Sequence, residues 1–296
     1  MGAANSADVT SVTGGTASDG ADGRNAVPDL PPPDLPPPDL PAPARLSKGR
    51  GGPAGSVRTA VVWEILSAVL AAAASRAGRE LSVVDAGGGT GGFAVPLAEA
   101  GYHVTVVDPS PDSLASLQRR IADRDVADRV VGVQGDLNDL PSLVPAGSAD
   151  LVLCHSVLEM VDDPASALRA VGGVLRPGGR LSLLVASRAA AVLARALAGR
   201  PEEASHALTD PAGRWGPGDS AARRWTPETL QLLITQAGLH VEQIHGVRVV
   251  ADLIPAALLD SEPGAASALL ALERALSGLP PFCDIATQLH VLARRP

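Results

Sequence analysis

The chain has 296 residues, of which 46% are hydrophobic and 19% charged, with a net charge of -8. This suits one large soluble domain with a sizeable core, or at most two small ones. Six aromatic residues, 2% of the chain, argue against a stacking platform for single-stranded nucleic acid, and a lone lysine among 24 basic residues argues against a broad basic footprint, though not against a local arginine patch.

Residues 1–27 are rich in Gly, Ala, Ser, Thr and Asp, with Val9, Val12 and Val27 as their only branched aliphatic side chains. Such a segment buries too little surface to offset the entropy of ordering it. Its start, MGAANS, matches the loose myristoylation pattern and reads as a small-residue tail that does so by chance. From Pro28 to Pro43, nine of sixteen residues are proline and the unit PDLPP recurs with a period of five. That composition favours extended polyproline II, a semi-rigid spacer of about 3.1 Å per residue. A basic, glycine-rich hinge, RLSKGRGGPAG, follows. The expected organisation is a disordered tail and linker over 1–55 and one folded domain over 56–296. Residues 1–45 hold six aspartates and two arginines, half of the net charge of -8, so the domain itself is only mildly acidic.

Residues 57–77 carry Val62, Ile65, Leu66, Val69 and Leu70 at helical spacing among many alanines, which predicts a helix stopped by Gly78. LSVVDA (81–86) is a short apolar run closing on a glycine cluster, as a buried strand does. A helix over GGFAVPLAEAG, a strand HVTVVD (103–108) and a helix opening at Pro111 come next. RVVGVQGD, DLVLCH and RLSLLVA supply strands three to five. PASALRAVGGVL forms a helix before the last of these and ends at the RPGG turn. Thr226 and Pro227 open a further helix, followed by the strand HVEQIHGVRVV, a helical stretch at 264–277 and the strand TQLHVLA. This alternation predicts an α/β fold: a doubly wound, Rossmann-like parallel sheet of seven strands.

Strand one runs into Asp85-Ala86-Gly87-Gly88-Gly89-Thr90-Gly91-Gly92, a turn where glycines let a ligand approach the backbone closely. Asp108 closes strand two, 21 residues after Gly87, where a carboxylate can accept both hydroxyls of a ribose. Gly87-x-Gly89-x-x-Gly92 satisfies the dinucleotide fingerprint, and Gly87-x-Gly89-x-Gly91 the shorter loop of S-adenosylmethionine (SAM) enzymes. The loop alone leaves a nicotinamide oxidoreductase, a SAM enzyme and a non-catalytic module of the same fold all open.

The later segments separate them. VVDAGGGTGG, VTVVDPS, VQGDL, DLVLCHSVLEMVDDP and LRPGGRLSLL, in this order and spacing, resemble the class I SAM-dependent methyltransferases across roughly 57–296. The resemblance implies that Asp85, Gly87, Gly88 and Gly89 form the loop at the methionyl part of SAM. It also implies that Asp108 holds the ribose and that Gln134, Gly135 and Asp136 line the adenine pocket. A closer resemblance links Arg58 with VVWEIL, CHSVLEMVDDPASAL, VLRPGGRLSLL, GVRVVADL and LHVLARRP to the bacterial tRNA 5-carboxymethoxyuridine methyltransferase family. That family methylates a wobble-uridine carboxylate. It implies Arg58 at the SAM carboxylate and His155 beside the sulfonium end. The segment HALTDPAGRWGPGDSAARRWTP lacks the lysines of that family, and ASRAAAVLARALAGR is richer in alanine than its polar turn. These departures keep a small metabolite or natural product in view as the alternative methyl acceptor to tRNA.

A carboxylate acceptor is ionised at neutral pH and needs no general base. For a phenol or amine, His155 is the candidate base. Arg248, in GVRVV, is the expected partner of an anionic acceptor, since guanidinium matches carboxylate bidentately. Glu159, Asp162 and Asp163 form an acidic cluster in which Asp163 reads as the cap of the helix that Pro164 begins. Residues 187–226 and 251–278 are expected to cover the acceptor side. His240 and His245 have the wrong spacing for a metal pair, and Cys154 and Cys283 form no zinc motif and are expected as buried thiols. No metal is expected. No apolar run is expected to reach the ~18 residues of a bilayer span, and no signal-peptide core is visible. The expected location is therefore cytoplasmic, with no membrane partner.

Overall fold

The computed structural model describes residues 53–296, with side chains from Thr59 onward except those of Ala256, Leu258 and Asp260. The myristoylation-like start, the PDLPP repeat and the rest of the expected tail up to residue 52 lie outside the described residues. Helix α1 (Pro53–Ala77) begins already at Pro53. Val62, Leu66 and Leu70 lie four apart on one stripe and are fully buried. They meet Val83, Val106 and Leu151 of the sheet.

The central elements then alternate as their residues predict. Strand β1 (Ser82–Ala86), helix α2 (Ala94–Glu99), β2 (His103–Asp108), α3 (Pro111–Arg124) and β3 (Val130–Gln134) form one half of the sheet. After a 3-10 turn (Leu137–Asp139) and α4 (Leu140–Leu143), β4 (Ala149–His155), α5 (Pro164–Val174) and β5 (Leu175–Ala186) continue it. Helices α6 (Arg188–Leu197), α7 (Pro201–Thr209) and α8 (Pro227–Gln236) lead to β6 (His240–Val247), α9 (Ala256–Ser261), α10 (Ala265–Ser277) and β7 (Gln288–Arg294). The seven strands lie in the order β3-β2-β1-β4-β5-β7-β6. Alternate strand residues feed two cores. Val83, Val106, Leu151 and Leu153 face α1, α2 and α3. Val84, Val107, Val152 and Cys154 face α5 and α8.

Five expectations are corrected. The sheet is mixed rather than parallel, because β7 inserts antiparallel between β5 and β6; the connection from β6, which carries α9 and α10, returns to the end of the sheet that it left. RPGG is not a turn before strand five but part of β5, which begins at Leu175 and bulges so that Leu175 faces Ala149 while Arg180 faces Leu151. A Cβ at Gly179 would stand 2.9 Å from the Ala149 carbonyl, so the bulge admits only glycine there. Arg248 falls outside strand β6: its φ of 61° turns the chain away from the ladder. Cys283 is a free thiol that is only partly buried, unlike Cys154. Finally, Thr59–Ala77 of α1 is, at 19 residues and a mean hydropathy of 1.5, long and apolar enough to cross a membrane by length and composition. Its alanines raise the hydropathy, while the Val62–Leu66–Leu70 stripe is buried against the sheet.

Candidate functional site

The carboxyl ends of β1, β2 and β4 converge on the glycine turn. The Gly87 amide donates to the Val107 carbonyl at 2.7 Å, which ties the turn to β2. Gly87 has φ 75°, and a Cβ there would stand 2.2 Å from Val157 Cγ2. At Gly88 a Cβ would stand 2.5 Å from Asp85 Cγ. The turn is therefore sterically committed to glycine at these two positions.

Asp108 is buried and both of its oxygens are engaged: Oδ2 accepts the Gly89 amide and Oδ1 the Ser110 amide, each at 2.9 Å. It thus fastens the glycine turn to the start of α3, and each oxygen keeps a lone pair for a further donor. Asp85 is buried beneath Gly88, and its Oδ2 has no partner. Burial pushes its carboxyl up to about 7; the neighbouring Asp108 charge adds to this and the Ala94 amide opposes it.

Gln134 closes β3 and pairs with Asp108, and Gly135 and Asp136 follow it. The Gly135 amide donates to the Asp108 carbonyl at 3.3 Å. Asp136 Oδ1 accepts the Asn138 and Asp139 amides at 2.7 and 3.3 Å, so this residue also caps the 3-10 turn. Arg58 belongs to α1, but its side chain lies outside the described residues.

His155 ends β4. Its Nε2 lies 2.8 Å from Ser182 Oγ, and the same hydroxyl lies 2.8 Å from His290 Nε2. One serine hydroxyl can donate to one ring and accept from the other. Phe93 meets His155 edge-on at 4.7 Å between centroids and stacks with Trp63 at 4.8 Å. Burial pushes the His155 imidazole down to about 3. It stays neutral across the physiological range. Ser182 and His290 were not legible as site residues, because only the antiparallel register of β7 sets them beside His155.

The acidic cluster divides. Asp163 caps α5 by accepting the Ala165 and Ser166 amides at 3.0 and 3.1 Å. Glu159 instead reaches across to β5, where its Oε1 accepts the Ala186 amide at 2.7 Å. At the carboxyl end of β6, Arg248 Nη2 pairs with Asp252 Oδ2 at 2.5 Å and its Nη1 donates to Gln288 Oε1 at 3.5 Å. The Gln288 amide reaches Ser156 Oγ at 3.4 Å, which connects Arg248 to the residue after His155. Arg248 Nε is buried without a partner. Its backbone is braced by Glu273 of α10, a buried carboxylate that accepts the Val249, Val250 and Ala251 amides at 2.9, 2.8 and 2.8 Å. Sequence reasoning missed Glu273, which sits in the helical stretch without a motif.

The donor set fits SAM. A glycine turn that a Cβ would fill, a pinned acid at the end of β2 and an orphaned buried carboxylate oxygen on Asp85 suit a cationic, ribose-bearing ligand. Two larger cavities, of about 760 and 500 Å³, lie at the opposite end of the sheet around Arg180 and Arg294. They are remote from Asp108 and His155.

Residues 84–183 match the family model of a methyltransferase domain. The chain is 30% identical over 242 residues to the tRNA 5-carboxymethoxyuridine methyltransferase of Escherichia coli (strain K12), covering 82% of this chain and 89% of that protein. It is 36% identical over 119 residues to the ubiquinone biosynthesis O-methyltransferase of Xanthomonas euvesicatoria pv. vesicatoria (strain 85-10), covering 40% of this chain and 48% of that protein. Among solved structures, an S-adenosylmethionine dependent methyltransferase from Mesorhizobium loti superposes with a TM-score of 0.53 at 22% identity, covering 82% of this chain and 100% of that one. At that identity the likeness concerns the fold alone.

Proposed function

Because this chain belongs to the class I SAM-dependent methyltransferases, we propose that it transfers the methyl group of SAM to a carboxylate oxygen and forms a methyl ester. In this reading Gly87, Gly88 and Gly89, with Asp85 beneath them, receive the methionyl part. Asp108 takes the ribose, Gln134, Gly135 and Asp136 take the adenine, and Arg58 takes the SAM carboxylate. His155 borders the sulfonium as a neutral contact. SAM supplies the activated methyl group.

The observation that carries the carboxylate acceptor is the state of His155. Its Nε2 is taken up by Ser182 and burial holds its basicity at about 3, so it makes a poor base at neutral pH. A carboxylate requires none. Its oxygen lone pair forms the new bond to the methyl carbon while the methyl–sulfur bond breaks, and that electron pair stays on sulfur. No proton moves. The chain's part is orientation: Arg248, braced by Glu273, aligns the carboxylate.

The wobble carboxymethoxyuridine of tRNA is the first acceptor to test, since a relative sharing 30% identity over 89% of its length carries that substrate in its name. In this reading the protein works in the cytoplasm. Nucleoside mass spectrometry of tRNA from a deletion strain then shows loss of the methyl ester; an unchanged profile removes tRNA as the acceptor. With any carboxylate acceptor, kcat/KM of the Asp85→Asn protein, in which the carboxyl that titrates near 7 is gone, stays flat from pH 6 to 9 at saturating SAM, and a rise with an apparent pKa in that window refutes base-free transfer. A small-molecule acid is the second reading. It is favoured by α6, which follows β5 with no buried residue and leaves Leu193 and Leu197 41% and 79% exposed.

A further inference from the structure

Beside the carboxyl end of β5 lies a cavity of about 470 Å³ lined mostly by apolar side chains. Its floor is Ala186 and Ser187, the residues that follow the β5 stretch paired with His155. One wall is α6, through Ala190 and Ala194; the others come from Trp215, Val249 and Leu253. Leu253 and Ile285, both at this cavity, are 68% and 41% exposed. Exposed leucines gathered around a concave site mark a place that apolar matter covers.

Most of the charge in the lining is already matched. Arg224 pairs with Asp219 at 2.5 and 2.9 Å. Arg195 lies 4.0 Å over the Trp215 ring and pairs with Glu203 at 3.2 Å. The remaining pair is Asp252, which lines the cavity, with Arg248, whose Nε has no partner. Arg248 thus stands next to the cavity behind Asp252, with its side chain 29% exposed, and Ser156 and Gln288 connect it back to the end of β4. Its φ of 61° and that of 57° at Ser156 are the kind of backbone strain that collects at functional sites.

We infer that this cavity receives the apolar body of an amphiphilic carboxylic acid, with Arg248 holding the carboxylate that is methylated. The inference rests on the carboxylate reading above and names its substrate class. A cavity of this size houses a hydrocarbon chain or ring system, whereas a uridine bearing a carboxymethoxy group has little apolar surface to bury in it. The Ala, Leu and Trp lining gains from desolvating such a body in proportion to its apolar area, so affinity grows with chain length.

The test uses the full chain with decanoate, decylamine and butyrate as probes, and Trp215 fluorescence as reporter, with Trp215→Phe identifying its signal. Ala190→Phe fills the cavity, and calorimetric SAM binding by this variant controls for folding. Decanoate is expected to shift the Trp215 emission saturably, at least tenfold more tightly than butyrate, and to yield methyl decanoate from SAM. Ala190→Phe is expected to weaken decanoate at least tenfold with SAM affinity retained. Absence of a saturable shift in a SAM-binding protein overturns the inference, as does decanoate binding that Ala190→Phe leaves unchanged or that gives no ester. Should carboxymethoxyuridine tRNA be methylated equally by both proteins and decanoate not compete, the cavity is not the acceptor site and the carboxylate reading stands alone. Methylation of decylamine in place of decanoate overturns the inference together with the carboxylate reading.

Discussion

Replacing Asp108 by asparagine tests whether one charge holds the SAM cradle together. The carboxylate accepts the Gly89 amide through one oxygen and the Ser110 amide through the other, both at 2.9 Å, from a buried position. Asparagine offers a single acceptor oxygen, so one of the two amides must face an NH2 group. A hydrogen bond to a charged group contributes about 1.5–3 kcal/mol, equivalent to a change of about 10- to 150-fold in a binding constant. Where that loss falls depends on which amide is abandoned. Losing the Gly89 contact loosens the glycine turn, and the cost falls on SAM affinity, read by isothermal titration. Losing the Ser110 contact frees the residue whose hydroxyl caps α3, and the cost falls on unfolding free energy, read by urea denaturation. The two measured losses for Asp108→Asn should together reach about 1.5–3 kcal/mol. Unchanged SAM affinity together with unchanged stability refutes the role given to Asp108.

Glu273→Gln keeps at most one acceptor oxygen for the three amides at 249–251, and is expected to cost about 1.5–3 kcal/mol in urea unfolding. It should also raise the acceptor KM through Arg248; an unaltered KM separates the brace from the acceptor site. Leu66→Ala empties a position with 0% exposure beneath α1 and should destabilise the fold by about 2.7–5 kcal/mol, so a loss under about 1 kcal/mol refutes the buried stripe. The fold favours protonated Asp85, since burial raises its carboxyl from 3.8 to about 7. That contribution is whole below pH 3.8 and lost as pH rises towards 7, so Asp85→Asn should flatten the stability profile across this window; parallel urea midpoints for both proteins contradict it.

Local residue order was enough for much of this. The 3.6 spacing of Val62, Leu66 and Leu70 named the buried face of α1, and β-branched runs ending in Asp85 and Asp108 marked where strands meet the glycine turn. Caps at Asp163 and Thr226 were equally local, because a side chain reaching its own helix start needs no distant partner. Composition misled where one residue type served two settings: alanine made α1 apolar enough to resemble a membrane span, although its leucine and valine stripe is buried against the sheet.

What the tertiary structure alone decided are the contacts made across strands. The insertion of β7 between β5 and β6, antiparallel to both, is written in no local pattern, since strand direction depends on how the chain returns. That insertion puts His290 against Ser182 and so shapes the surroundings of His155. The left-handed turn at Arg248, the Glu273 carboxylate under it and the cavity beside α6 arise in the same way. The glycine loop proposed to hold SAM was legible because it is contiguous. The proposed acceptor side is assembled by contacts such as Glu273 with Val249 and Gln288 with Ser156, 24 and 132 positions apart, so only packing could reveal it.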